Sequence, residues 1–253
     1  MKAVILADGP DLRFPGPGNI SKSMVEIGGR PLIWHIMKIY AAHGISDFVL
    51  CCGANAAEIK TFFAGYALHT ADVTFDLSLK STDIHLASVE DWRVTVIDTG
   101  DAVSSDQRRQ KIAAHLEGEE AFCLAYGDSL ASIDIGASLA FHRAHGQGMT
   151  VAAVYPPARY GALHLEGVEV RALSAKPESG FVNGGFLVLS PSSLSAIADV
   201  FLSDRTAELD ALAQTGQLRA YLHEGFWQPV DTRHDVVRLE SLWKEGMPPW
   251  KVW

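Results

Sequence analysis

The chain is short of positive charge, of cysteine and of long apolar runs, and each shortage excludes something. Lys and Arg number 21 against 30 Asp and Glu, a formal net charge of −9. Sequence-independent binding to nucleic acid needs a net basic footprint, so no nucleic-acid partner is expected. A phosphorylated small molecule stays open, because a pocket needs only a few local cations and a metal. No apolar run reaches the roughly 18 residues of a membrane span, and no membrane association is expected. The opening MKAVILADG is broken by Asp8 too early for a secretory signal. The three cysteines, Cys51, Cys52 and Cys123, sit in apolar runs and form no CxxC pair. They read as reduced core thiols of a cytoplasmic protein. A GxGxxG fingerprint and a Walker loop are also missing, which argues against a nicotinamide-dependent oxidoreductase.

What the chain does have is size and alternation. Its 253 residues are 48% hydrophobic. A chain this long buries roughly 70–75% of the surface its unfolded form exposes. Apolar strands at Lys2–Ala7, Phe48–Cys52, Val94–Asp98, Ala121–Tyr126 and Thr150–Val154 alternate with helices at Pro31–His43, Ala56–Ala64, Gln107–Leu116 and Ile135–His145. That alternation predicts an α/β fold with a mostly parallel sheet covered on both faces. After Pro156 the pattern changes to short strands at Ala162–Leu165, Val168–Ala172 and Phe186–Leu189. Helices at Pro191–Leu202 and Thr206–Thr215 come next, and a last one at Arg233–Glu245 leads into the tail PPWKVW. The expected organisation is one domain over 1–253, with a small β-rich lobe within 156–232 and a C-terminal helix and tail at 233–253. Trp250 and Trp253 suit either an interface or packing on their own subunit.

Several residues stand where chemistry is possible. The strand Lys2–Ala7, the turn-rich loop Asp8–Ser23 and the following helix form an arrangement that presents backbone N–H groups to phosphate. Arg13 and Lys22 are its cations. An ordinary surface loop is the competing reading. Asp128 follows AFCLAY through Gly127, at the carboxyl end of a strand, where open α/β sheets bind ligands. A carboxylate there suits Mg²⁺, which takes one or two protein carboxylates and fills its shell with phosphate oxygens. It also suits a turn or a helix cap. Asp231, in FWQPVDT, is either a second carboxylate or an N-cap. Lys176 precedes Pro177, and Asn183 precedes the pair Gly184–Gly185, whose missing side chains let backbone approach a ligand.

Taken together, MKAVILA, SMVEIGGRPLIWHIMKIY, FVLCCG, DVTFD, VIDTG, FCLAYGD, PPARYGAL, NGGFLVL, GFWQPVDT and PPWKVW closely resemble the sugar-1-phosphate nucleotidyltransferases, and among them the cytidylyltransferases. The resemblance implies a Rossmann-like nucleotidyltransferase fold and a reaction of a sugar 1-phosphate with CTP giving CDP-sugar and pyrophosphate. It implies Mg²⁺ on Asp128 and Asp231, and Arg13, Lys22 and Asp128 as the catalytic set. Leu6, Ala7, Gly9, Arg13, Lys22, Arg108 and Gly127 would line the nucleotide. Tyr160, Gly161, Lys176, Asn183, Gly184 and Trp227 would form the sugar-phosphate site in the β-rich lobe. Family members assemble, so a homo-oligomer is expected.

The departures from the family pattern are local. The family loop GGxGTRL and its PKPM become DGPDLRF and SKSM, one residue shorter. Asp8 and Asp11 stand at glycine positions and Leu12 replaces a threonine. A carboxylate about 4 Å from a phosphate charge costs roughly 4 kcal/mol at an effective dielectric of ~20. The Gly-Gly-Arg of the base-reading loop becomes Asp106-Gln107-Arg108, the Glu before Lys-Pro becomes Ala175, and the segment before Leu209 reads DRTAEL. Two explanations compete: an enzyme with shifted nucleotide or sugar preference, or a homologue repurposed for binding or assembly.

Overall fold

The computed structural model describes residues 1–7, 21–53, 55–85, 90–99, 104–157, 162–166, 169–174, 180–197 and 206–253. A seven-stranded sheet forms its centre. In chain order its strands are β1 (Lys2–Leu6), β2 (Asp47–Cys52), β3 (Arg93–Asp98), β4 (Phe122–Tyr126), β5 (Met149–Val154), β6 (Val182–Leu189) and β7 (Leu218–His223). Across the sheet the order is β7-β5-β6-β4-β1-β2-β3. Every neighbouring pair is parallel except the two that β6 makes, with β4 and with β5. This is the mostly parallel α/β architecture that the alternation implied and the Rossmann-like fold that the resemblance implied. The innermost strands are buried on both faces, which is why FCLAY reads as an unbroken apolar run.

The stretch expected to form a small β-rich lobe within 156–232 divides. The ribbon Ala162–Glu166 with Glu169–Ser174 stands outside the main sheet, as does Trp227–Pro229, which pairs with Ser129–Ala131. β6 lies within the main sheet, where Phe186 faces Ala125 and Leu189 faces Phe122. Its first half, VNGG, hides a strand longer than Phe186–Leu189. β7 was not read as a strand, because an edge strand such as LRAYLH is largely solvated and carries charge. A hairpin of Asp72–Asp76 with Ser81–His85 was also missed, since it has no core beneath it.

Helices cover the faces: α1 (Leu32–Ala41), α2 (Ala56–Ala64), α3 (Ser105–Ala113), α4 (Ile135–His145), α5 (Thr206–Gln214) and α6 (Arg233–Lys244). α3 begins two residues earlier than expected because Ser104 and Gln107 close a capping box. The expected helix from Pro191 is a 3-10 turn over Pro191–Ile197, and its remainder lies outside the described residues. No helix among the described residues is long and apolar enough to cross a membrane. Cys51, Cys52 and Cys123 are buried, and burial pushes the Cys123 thiol up to about 12.

The aromatic tail packs on its own chain. Trp250 is fully buried, with its ring 5.7 Å from that of Phe226 and 6.3 Å from that of Trp243. Its indole N–H donates to Nδ1 of His35 at 3.4 Å, and His35 Nε2 donates to the Ile27 carbonyl at 2.8 Å. Both ring nitrogens are therefore used by the neutral imidazole, and burial lowers the His35 pKa from 6.5 to about 4. The unfolded chain binds this proton more tightly, so the stability it contributes is intact above pH 6.5 and is lost as pH falls toward about 4. The loss should reach about 3 kcal/mol. In urea unfolding followed against pH, the stability gap between wild type and His35→Gln should narrow by that amount between roughly pH 7 and pH 4. Parallel curves would contradict the assignment.

Candidate functional site

The site forms where β1 and β4 end side by side. Gly127 N donates to the Leu6 carbonyl at 2.9 Å, and Ala7 N donates to the Cys51 carbonyl at 2.9 Å. A Cβ on Gly127 would sit 2.7 Å from the Leu6 oxygen, so only glycine lets the chain leave β4 along this path. Asp128 follows at once. Its neighbours Ser129–Ala131 pair antiparallel with Trp227–Pro229, Pro229 facing Ser129 and Trp227 facing Ala131. Val230 N closes the same ladder on the Asp128 carbonyl at 2.8 Å. This short ladder brings Asp128 and Asp231 to one edge, although they lie far apart in sequence.

Asp231 is neither a cap nor a loose turn residue. Thr232 caps α6, and Asp235 completes the capping box. Asp235 is buried and its carboxylate accepts from Asp231 N at 3.1 Å, from Thr232 N and Oγ1 at 2.8 Å each, and from Gln228 Nε2 at 3.0 Å. The Asp231 backbone is thereby fixed from beneath. The helix-cap reading of Asp128 fails likewise, because a strand follows it and Asp134 caps α4 by accepting from Ala137 N at 2.8 Å.

Lys22 arrives from the opposite side, on the 3-10 turn Lys22–Met24 that leads toward α1. Its Nζ lies 2.8 Å from Asp231 Oδ1 and 3.9 Å from Asp128 Oδ2. The three side chains are a quarter to a third exposed. Beside them opens a cavity of about 350 Å³, lined by Tyr126, Asp128, Ser129, Asn183, Gly184, Gly185, Leu209, Trp227, Pro229 and Asp231. Its floor is tied down: Trp227 Nε1 donates to the Gly184 carbonyl at 2.8 Å, and Gly185 N donates to Asn183 Oδ1 at 2.9 Å. Gly185 holds φ +76°, and a Cβ there would meet the Tyr126 ring at 2.9 Å.

Of the residues singled out from the sequence, Lys22, Asp128, Asp231, Asn183, Gly184 and Trp227 come together here, with Leu6, Ala7 and Gly127 at the adjoining strand ends. Arg108 does not line this cavity; it is buried on α3. Gly9, Arg13, Tyr160, Gly161 and Lys176 lie outside the described residues, as do Asp8, Asp11, Leu12 and Ala175. The reading by sequence missed Tyr126, Ser129, Leu209 and Pro229 in the lining, and Asp235 beneath it. Asp235 had a signal, since the spacing T-x-x-D ahead of a helix marks a capping box. The lining residues had none, because a wall is assembled from separate elements.

A divalent cation fits the donor set. Among the described residues no group of three or more His, Cys, Asp and Glu could hold an ion alone. Two carboxylates with an ammonium already beside them suit Mg²⁺, which completes its shell with water and phosphate.

The fold is shared with known nucleotide-sugar enzymes. A solved Bacillus anthracis structure described as a glucose-1-phosphate thymidylyltransferase, in complex with a sucrose, matches with a TM-score of 0.66 at 16% identity, over 95% of this chain and 94% of that one. No protein-family model matches the chain. Curated relatives match much more closely: the glucose-1-phosphate cytidylyltransferases of Salmonella typhi and Salmonella typhimurium are each 45% identical over 256 aligned positions, covering 100% of both chains. The chain belongs to the glucose-1-phosphate cytidylyltransferase family of sugar-1-phosphate nucleotidyltransferases.

Proposed function

We propose that the protein is a sugar-1-phosphate cytidylyltransferase, joining glucose 1-phosphate to CTP to give CDP-glucose and pyrophosphate. The observation that carries this reading is the Lys22–Asp231–Asp128 cluster at the carboxyl end of β4, beside a cavity of sugar-phosphate size. A phosphate oxygen of the sugar substrate forms a bond to the α-phosphorus of CTP while the bond from that phosphorus to the β-phosphate bridging oxygen breaks. Such chemistry is mostly positioning and charge neutralisation. Lys22 would bind phosphate oxygens, and the Asn183–Gly185 turn with Trp227 would hold the sugar. Asp128 and Asp231 would hold Mg²⁺, which when bound supplies positive charge at the α-phosphate and the departing pyrophosphate.

A second reading, a homologue kept for binding or assembly, rests on Asp8 and Asp11 at glycine positions of the nucleotide loop. The intact cluster opposes it. The discriminating assay is pyrophosphate release with CTP, glucose 1-phosphate and Mg²⁺. Release is expected, and Asp128→Ala should reduce it by about a hundredfold or more. No release across a panel of nucleotides and sugar phosphates would overturn the enzyme reading in favour of the second.

The chain is further proposed to work as a homo-oligomer, through the hairpin Asp72–Asp76 with Ser81–His85. Phe75, Leu77 and Leu79 there are 61%, 87% and 76% exposed, apolar side chains that nothing among the described residues covers. Light scattering should find an assembly that Leu77→Asp with Leu79→Asp converts to monomer at unchanged melting temperature. A monomeric wild type, or an assembly that survives both substitutions, would contradict this.

A further inference from the structure

Asn55 does not do what its place on α2 dictates. Asparagine is favoured at a helix N-cap because its side-chain oxygen accepts from a first-turn N–H. Asn55 is the N-cap of α2, yet its side chain makes no capping hydrogen bond. Its amide nitrogen is turned the other way, donating to the Ala7 carbonyl at 2.6 Å and to Ser21 Oγ at 2.5 Å. A carbonyl can only accept, so the orientation of the amide is fixed by its partner. The amide oxygen is left buried with no partner among the described residues. An unfilled cap and an unused buried acceptor are two local rules broken by one side chain, and such violations gather at functional positions.

The two partners share one property: they are the ends of the 8–20 stretch. Ala7 continues β1 and is held to β2 through Cys51. Ser21 is buried, lies 2.8 Å from Ser23 Oγ, and directly precedes Lys22. One amide therefore ties the carboxyl end of β1 to the turn that carries the Lys22 ammonium.

We infer that Asn55 is a positioning residue for the nucleotide: it fixes the spacing between the β1 end and Lys22, so that strand end and ammonium present one preorganised phosphate-binding surface. This rests on the reading of the site as a nucleotide site. Preorganisation acts by removing ordering entropy from the binding step, so the effect belongs to the nucleotide and not to the sugar phosphate.

Asn55→Asp separates this role from a structural one. It keeps the size, offers two acceptor oxygens where the amide has one, and cannot donate to Ala7. Without nucleotide, amide hydrogen exchange over residues 21–24 should quicken by about tenfold, while 56–64 and the melting temperature hold or improve. Calorimetric affinity for CTP should fall by about tenfold and its KM rise alike, with kcat and the KM for glucose 1-phosphate within about twofold. Unchanged exchange at 21–24 would overturn the clamp. A lower melting temperature with exchange raised throughout would reduce Asn55 to a structural residue. Quickened exchange at 21–24 with no CTP affinity in either form would overturn the nucleotide role together with the proposed function.

Discussion

Two carboxylates held at one cavity edge repel each other unless a cation lies with them, and Lys22 is that cation. Its ammonium sits 2.8 Å from Asp231 and 3.9 Å from Asp128. Most of what surrounds the site serves to keep that triangle in place. Gly127 lets the chain leave β4 against the Leu6 carbonyl, delivering Asp128. The ladder between Ser129–Ala131 and Trp227–Pro229 brings the second carboxylate alongside. Asp235, beneath, gathers the Asp231 and Thr232 backbone N–H groups. The charged triangle keeps access to solvent and so to a polyanionic ligand.

The acidity of the chain then has a local meaning. A net −9 does not prevent binding of a triphosphate, because the field that matters is set by a few groups at the strand ends. Lys22 and the two carboxylates are held together through separate long-range contacts.

How much of this was legible in the sequence depended on range. Strand runs such as FCLAY and the Gly127–Asp128 step are local and were read directly, since a buried parallel strand is an unbroken apolar segment and the ligand edge follows from its polarity. The pairing of Asp128 with Asp231 was only a candidate, because three-residue strands carry no periodicity and their register is set by tertiary contact. β6 was assigned to a lobe because VNGG resembles a turn, and its antiparallel place in the main sheet follows from partners distant in the chain. Asn55, ahead of AAEIK, reads as an ordinary cap, and nothing local shows that its amide faces Ala7 and Ser21. Arg108, which the resemblance assigned to the nucleotide, is buried on α3.

Asp128 and Asp231 are proposed as a divalent-cation site whose charge Lys22 offsets before ligand arrives. Calorimetric titration of Mn²⁺ into nucleotide-free wild type and Lys22→Met measures that offset. The ion should bind about tenfold more tightly to the variant, with the gain abolished when Asp231→Asn is added. Equal affinity in wild type and Lys22→Met, or a gain that survives Asp231→Asn, would contradict it.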